Sequence, residues 1–279
     1  MMKGKNILVL GGTRGFGYEL AKEFAELGAN VVITGRRLAD AQNAARRAIQ
    51  ERPIFGISGA EGPAEAGTLI PLEVDIQSFE SLVFLRAAAE AALGSIDILV
   101  VNAGVSQIPA KLWDAEPSDI DRVLATDLRG PMFAVRAFMP TMVDRGNGSI
   151  WFIEGLGSND MMIDRYGLYG SSKRGLAYYW RALAKEAVGT GIAIRALSPG
   201  MMLTDFLLHN LNRESSEQRA KTVKLFNILA DRPETVARFA APHMLAEGGN
   251  GRLLSWLSGP KAALRFMMAP FRRRRLLEA

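Results

Sequence analysis

A chain of 279 residues, 48% of them hydrophobic, is long enough to bury one full α/β core and suits a single domain. It holds no cysteine and only two histidines, His209 and His243, without ligand-like spacing, so disulfides and cysteine-based metal sites are excluded and no metal is expected. The net charge of +5 is modest but gathered, with Arg272-Arg273-Arg274-Arg275 in one block, and no aromatic-interleaved basic surface points to nucleic acid.

Apolar runs bounded by turn residues alternate with helix-like segments along the chain. Strands are expected at Asn6–Leu10, Asn30–Thr34, Thr68–Glu73, Ile96–Val101, Ser149–Ile153, Ile192–Leu197 and Arg252–Leu257. Helices are expected at Phe16–Leu27, Leu38–Glu51, Ser78–Leu93, through one long stretch from Ser118 to Asp144, and at Leu168–Val188. Runs such as Ile98-Leu99-Val100-Val101 are apolar on both faces, which suits a parallel sheet covered by helices. The alternation points to a doubly wound parallel sheet of the Rossmann type with right-handed crossovers. Pro53–Gly67 reads as a surface loop. A lid at about 201–230 is expected after the sixth strand, and residues 260–279 read as a basic amphipathic tail following a domain at 1–259.

Gly11-Gly12-Thr13-Arg14-Gly15-Phe16-Gly17 follows the first expected strand and opens a helix, which is the context a dinucleotide-binding loop requires. Gly11 permits the tight turn. Gly15 and Gly17 let a pyrophosphate approach backbone at a helix N-terminus. The second strand ends Thr34-Gly35-Arg36-Arg37, without the carboxylate that would hold free ribose hydroxyls, and Arg14 adds a third guanidinium. Arginines bind a 2′-phosphate that a carboxylate would repel, so NADPH is the expected cofactor. Asp75, with Ile76, at the end of the third strand is placed to meet the adenine amino group, and Asn102-Ala103-Gly104 after the fourth is a small-residue turn that lets the cofactor pass close to backbone. The candidate cofactor contacts here are Gly11, Thr13, Arg14, Gly15, Phe16, Gly17, Arg36, Arg37, Asp75, Ile76, Asn102, Ala103 and Gly104.

In Tyr169-Gly170-Ser171-Ser172-Lys173 a phenol and an ammonium stand four residues apart, on one face of a helix. A nearby cation favours phenolate and brings the phenol toward the working pH, where it serves better as an acid–base group. Together with Ser198-Pro199-Gly200 and Thr204, these motifs resemble the short-chain dehydrogenase/reductase family over nearly the whole chain. The resemblance implies Tyr169 as proton donor and Lys173 as its poising, ribose-binding partner. It also implies that Pro199, Gly200, Met202 and Thr204 meet the nicotinamide end, in a homodimer or homotetramer built on the two long helices.

Two positions depart from that family. Its catalytic serine closes the fifth strand, whereas here the strand runs into Glu154-Gly155-Leu156-Gly157-Ser158; its helix-kinking asparagine is matched by Asp127. The acidic-Gly-x-Gly-Ser run is similar to the chlorophyll(ide) b reductase branch, as are Leu197–Met201, Thr204–Leu208, Asn227–Ala237 and Leu257–Ala263. The resemblance implies NADPH-dependent reduction of a carbonyl on a bulky apolar substrate, specifically the C7-formyl group of chlorophyll(ide) b. A reductase of steroid-, retinoid- or quinone-like carbonyls and a non-catalytic NADPH-binding sensor are the alternatives. Ser158 is a candidate to reach the substrate oxygen and Glu154 to hold a proton relay or hydrogen-bond the macrocycle edge, with a helix-terminus salt bridge as the other reading of Glu154. Met201, Met202, Leu203, Phe206, Leu207 and Leu208 offer an adaptable apolar cover. The apolar run Ile7–Leu10 is too short for a signal peptide and no stretch approaches a membrane span, so a cytoplasmic location is expected, with the basic tail able to touch an anionic membrane surface.

Overall fold

The computed structural model describes residues 4–51, 56–57, 67–204, 216–246, 248–271 and 274–277. Its strands are β1 (Asn6–Leu10), β2 (Asn30–Gly35), β3 (Gly56–Ile57), β4 (Thr68–Glu73), β5 (Ile98–Val101), β6 (Gly148–Ile153), β7 (Ile192–Ser198) and β8 (Arg252–Ser255). Among the described residues they form one parallel sheet in the order β3-β4-β2-β1-β5-β6-β7-β8. The order reverses between β1 and β5, so a ligand crevice is expected beyond the C-terminal ends of those two strands. Both loops that leave this point, after Leu10 and after Val101, carry glycine-containing motifs.

The helices are α1 (Gly15–Glu26), α2 (Leu38–Glu51), α3 (Phe79–Leu93), α4 (Pro117–Leu124), α5 (Gly130–Arg145), α6 (Gly167–Glu186), α7 (Ser216–Leu229), α8 (Pro233–Leu245) and α9 (Gly259–Met268). One face of the sheet is covered by α1, α2 and α8, through Leu20, Phe24, Ala45, Val236 and Ala240. The other is covered by α3, α5 and α6, through Leu82, Leu85, Phe138, Leu176 and Trp180. Sheet residues are buried from both sides, Ile7, Leu8, Val9 and Leu10 entirely so. That is why the strands read as unbroken apolar runs.

The long stretch expected from Ser118 to Asp144 is divided. Between α4 and α5, Ala125–Arg129 form one turn of π-helix. Pro131 has no amide proton, so the bond it would have given to the Asp127 carbonyl is missing and the turn widens. Gly130 follows because a Cβ there would lie 2.8 Å from the Ile76 side chain. The expected loop Pro53–Gly67 contains β3, a two-residue strand pairing with Thr68 and Leu69 at the sheet edge. Phe206, Leu207 and Leu208 lie outside the described residues, and much of the remaining lid segment is α7.

The basic tail is not simply a solvated charge block. Its first part is α9, capped by Ser258, whose hydroxyl accepts from the Lys261 amide. Arg274 donates to Asp231 at 2.7 Å and to the Ala230 and Ile228 carbonyls, while Asn227 bonds the backbone of Leu276 and Leu277. No helix among the described residues is long and apolar enough to cross a membrane.

Candidate active site

The glycine loop is shaped by close approach of backbone to backbone. A Cβ on Gly11 would stand 2.7 Å from the Ala103 Cα, so the loop after β1 and the Asn102-Ala103-Gly104 turn after β5 lie against one another. Asn102 Nδ2 donates to the Gly11 carbonyl at 2.8 Å, and a side chain on Gly17 would strike both of those groups. Phe16 is buried. Gly15 adopts φ +57°, and the nearest atom above it is the Thr204 methyl, 3.8 Å from where a Cβ would sit. The N-terminus of α1 has no side-chain cap and no acidic residue in its first turn. Uncapped amides with open space above Gly15 fit a dinucleotide pyrophosphate.

The end of β2 gathers charge beside this loop. Asp40, in the first turn of α2, feels Arg37, Arg36 and Arg14 together, and the Arg37 hydrogen bond is the foremost cause holding its carboxyl below the usual range. Arg37 is engaged in that two-pronged bond, at 2.9 Å on each arm. Arg14 and Arg36 are exposed beside it. Gly35 is crowded, since a Cβ would lie 2.6 Å from the Thr13 methyl. Asp75 is exposed and turns back on itself, its Oδ1 accepting from the Gln77 amide, while Ile76 is buried.

On the other side of the crevice, α6 carries Tyr169 and Lys173. Lys173 is buried, with Nζ 5.7 Å from the centre of the Tyr169 ring. The Tyr169 hydroxyl reaches to Gly155, where a Cβ would be only 2.5 Å from Oη and 3.4 Å from Lys173 Cε. Burial is the main reason that the Tyr169 phenol titrates above its ordinary value, and the nearby Asp127 adds to it. The direction is opposite to the lowering expected from Lys173.

Asp127, in the π turn, is wholly buried; its Oδ1 accepts from the Val105 amide at 2.8 Å, and its Oδ2 has no hydrogen-bond partner among the described residues. The empty side of Gly104 is flanked at 3.6 Å by both Asp127 Oδ1 and Lys173 Nζ.

Glu154, Gly155, Gly157 and Ser158 of the run that stood out in the sequence all meet α6. Glu154 is buried; its Oε1 accepts from Trp180 Nε1 at 3.0 Å and lies 3.4 Å from Arg181. These partners are about three turns beyond Tyr169 along α6, and the carboxylate is engaged with them. Gly157, at φ +96°, lies against Gly170, whose Cα is 2.5 Å from where a Cβ would be. Ser158 is buried, accepting from the Gly155 amide at 3.2 Å and donating to the Lys173 carbonyl at 3.3 Å. Its hydroxyl is thus engaged with backbone behind the Tyr169–Lys173 pair.

Gln107 is a site residue that sequence reasoning missed. It is buried, and its side chain accepts from the Tyr169 amide at 2.6 Å while donating to the Arg165 carbonyl at 2.6 Å. With the Ala110–Arg165 backbone bond and the Lys111–Asp164 ion pair, it joins the loop after β5 to the loop before α6. No motif marks it; only the contact between two loops distant in sequence does. Around these loops Ile108, Leu112, Trp113, Met161 and Met162 are exposed, Met162 by 92%.

The stretch after β7 closes the crevice. Pro199 is buried, and Gly200, at φ +73°, packs on Leu257. Met202 forms a parallel bridge with Asp231, and the Met201 and Leu203 backbones bond the Asp231 backbone on either side. The structure therefore brings the glycine loop against Asn102–Gly104, Lys173 beside Gly104, Tyr169 beside Gly155, and Thr204 over Gly15. Among the described residues no cluster of His, Asp or Glu has the arrangement of a metal site.

Comparison with known proteins places the chain in a family. A probable chlorophyll(ide) b reductase of Arabidopsis thaliana is 29% identical over 97% of this chain and 54% of its own, so the chain spans about half of that relative's length. A second chlorophyll(ide) b reductase of the same plant is 31% identical over 92% of this chain and 71% of its own. Among solved structures, a putative short-chain alcohol dehydrogenase from Sinorhizobium meliloti is 25% identical, superimposes with a TM-score of 0.74 and covers 94% of this chain and 97% of that one. The model of the short chain dehydrogenase family matches residues 5–215, and the chain belongs to that family.

Proposed function

We propose that the chain is an NADPH-dependent reductase of a carbonyl on a bulky apolar substrate, the C7-formyl group of chlorophyll(ide) b, yielding the 7-hydroxymethyl product. The observation that carries the reading is the Tyr169 hydroxyl beside Gly155 and Lys173, across a crevice from a glycine loop covered by Thr204. Gly11, Thr13, Gly15, Phe16, Gly17, Asn102, Ala103 and Gly104 would hold the dinucleotide, with Asp75 and Ile76 at the adenine, Arg14 and Arg36 at the 2′-phosphate, and Pro199, Gly200, Met202 and Thr204 at the nicotinamide end. When bound, the reduced nicotinamide supplies hydride to the carbonyl carbon. Tyr169 then gives its hydroxyl proton to the oxygen as the C=O π pair moves there, and Lys173 stabilises the phenolate left behind. Gly155 leaves the substrate oxygen without a serine donor, which makes Tyr169 the principal hydrogen-bond donor to it.

The exposed apolar rim of Ile108, Leu112, Trp113, Met161 and Met162 at the Tyr169 end of α6 favours a large flat apolar substrate, and the names of the two plant relatives favour the pigment. We further infer peripheral contact of the basic C-terminal segment with a membrane surface. A homodimer or homotetramer across α5 and α6 is the expected assembly, those helices leaving Val143 and Tyr178 exposed.

Incubation of the protein with NADPH and chlorophyllide b, followed by the pigment's absorption, tests the reading. The band should shift to that of the 7-hydroxymethyl product, and Tyr169→Phe should lose on the order of 10²–10⁴ of the rate while still quenching NADPH fluorescence. Arg14→Ala with Arg36→Ala should weaken NADPH by about tenfold or more and leave NADH nearly unchanged. No pigment turnover alongside reduction of other apolar carbonyls would retain the reductase and reject the substrate; undiminished turnover by Tyr169→Phe would reject the proton donor.

A further inference from the structure

The Tyr169–Lys173 pair does not stand alone in its pocket. A third titratable group, Asp127, stands near it from the π turn, wholly buried, with Oδ1 spent on the Val105 amide and Oδ2 lacking a hydrogen-bond partner among the described residues. A buried carboxylate oxygen left unpaired is costly unless a nearby charge compensates it. The charges facing Asp127 are few: Lys173 from α6 and Arg122 from α4, with the Val105 amide as a neutral donor. Arg122 is already paired with Asp119 and is partly exposed. Lys173 is buried, and its Nζ and Asp127 Oδ1 each lie 3.6 Å from the point where a Cβ on Gly104 would sit. The compensating charge is Lys173.

We propose that Asp127 is the counter-charge of Lys173 and, acting through it, a positioning residue that keeps Tyr169 protonated, biasing the site toward donating a proton and away from accepting one. The inference rests on the reductase reading only for the direction it favours. An ammonium with no counter-charge stabilises phenolate; an ammonium matched by a carboxylate does so far less. The sign agrees with Tyr169, which burial first and Asp127 second hold above its ordinary value. Burial raises the Asp127 carboxyl while Lys173, the Val105 amide and Arg122 oppose that rise. The offset is therefore present above the elevated pKa of Asp127 and fades as pH falls through it. Reduction needs the neutral phenol and keeps it to high pH. Oxidation of the alcohol needs phenolate as base, which this arrangement withholds. An asparagine would brace Val105 equally well and supply no charge, so the carboxylate is the feature that a purely structural role leaves unexplained.

The test is the ionisation of Tyr169, read by tyrosinate absorption without cofactor or substrate. Subtracting the corresponding Tyr169→Phe protein isolates its contribution from the other four tyrosines. Asp127→Asn should move ionisation to a pH lower by about one or more, the scale of one charge a few ångströms away in a medium of intermediate dielectric. If the unmodified protein unfolds in alkali before Tyr169 ionises, ionisation of the variant below that point meets the expectation. Superimposed titrations, or no Tyr169 signal in either protein below alkaline unfolding, would overturn the proposal and leave Asp127 as a brace for Val105. Should Asp127→Asn not fold, Asp127→Ser, which keeps an acceptor for the Val105 amide, is titrated against the same two outcomes. In turnover, the variant's oxidation of the alcohol should reach half its maximum at a pH lower by a similar amount. A spectroscopic shift with no turnover in either direction would reject the reductase reading and retain the counter-charge.

Discussion

Gly155 replaces a serine in the family pattern, and the geometry explains why the hydroxyl cannot simply be put back. The Tyr169 Oη occupies the space a Cβ would need, 2.5 Å away, and Lys173 Cε closes the other side at 3.4 Å. Gly155→Ser should push the phenol off its position, costing about 1–3 kcal/mol of stability as overpacking does. Turnover should fall at least tenfold on large and small carbonyls alike, because the donor itself is displaced. Stopped assays on both substrate classes with a thermal melt check this; a rise in turnover would show that the phenol can yield. Glu154, Gly157 and Ser158 belong to the same solution. The acid ties to Trp180 and Arg181, the second glycine meets Gly170, and the serine braces the Lys173 backbone. In the fold, Glu154, Gly157 and Ser158 seat α6.

At the scale of elements, Asp231 is the joint between the crevice and the C-terminal segment. Its carboxylate, side chain 7% exposed, accepts from Trp256, Arg265 and Arg274, each at 2.7 Å, while its backbone bonds the Met201 and Leu203 backbones. Burial raises its pKa, but hydrogen bonds from Arg265 and Trp256 and the charges of both arginines outweigh burial and leave it lowered. A carboxylate lowered on folding stabilises the protein above its unfolded pKa of about 4, and that stability is lost as pH falls through the lower folded value. Asp231→Asn should therefore reduce stability at neutral pH by about 1–3 kcal/mol, the arginines being partly exposed. That corresponds to roughly 2–6 °C in Tm for a chain of this size, a gap that should narrow below pH ~3 as the native carboxylate protonates. Equal melting temperatures at pH 7 would remove the joint. Strands and most helices were legible because a two-sided core imposes continuous apolar runs and 3.6-residue stripes. The glycine loop and the Tyr169–Lys173 pair were legible because their spacing is local. Gln107, Asp231 and the partners of Glu154 were not, since each depends on groups from segments remote in sequence, and Pro131 shows its effect only once the helix it interrupts is built.

At the scale of the whole molecule, α9 faces the wrong way for a helix that serves a core. Leu264, Met267 and Met268 recur at i, i+3 and i+4, with Phe271 just past the helix end, an apolar set that would ordinarily be turned inward. Instead they are 55%, 67%, 44% and 84% exposed, and it is the charged Arg265 that turns toward the protein to meet Asp231. An apolar set directed outward on a helix that also carries Lys261, with an exposed Arg275 after it, fits an anionic bilayer surface better than water. Buried apolar area and charge would act together there. A substrate as apolar as a chlorophyll would be met at the same boundary. The protein should sediment with vesicles containing a third phosphatidylglycerol, weakly with pure phosphatidylcholine, and less as salt is raised. Met267→Ser with Phe271→Ser should reduce that binding about tenfold and leave turnover of a water-soluble aldehyde unchanged, since neither side chain lies in the crevice. If instead the double variant converts an oligomer to a monomer and vesicle binding was never present, the apolar set is covered by a second copy of the chain and the membrane reading is overturned.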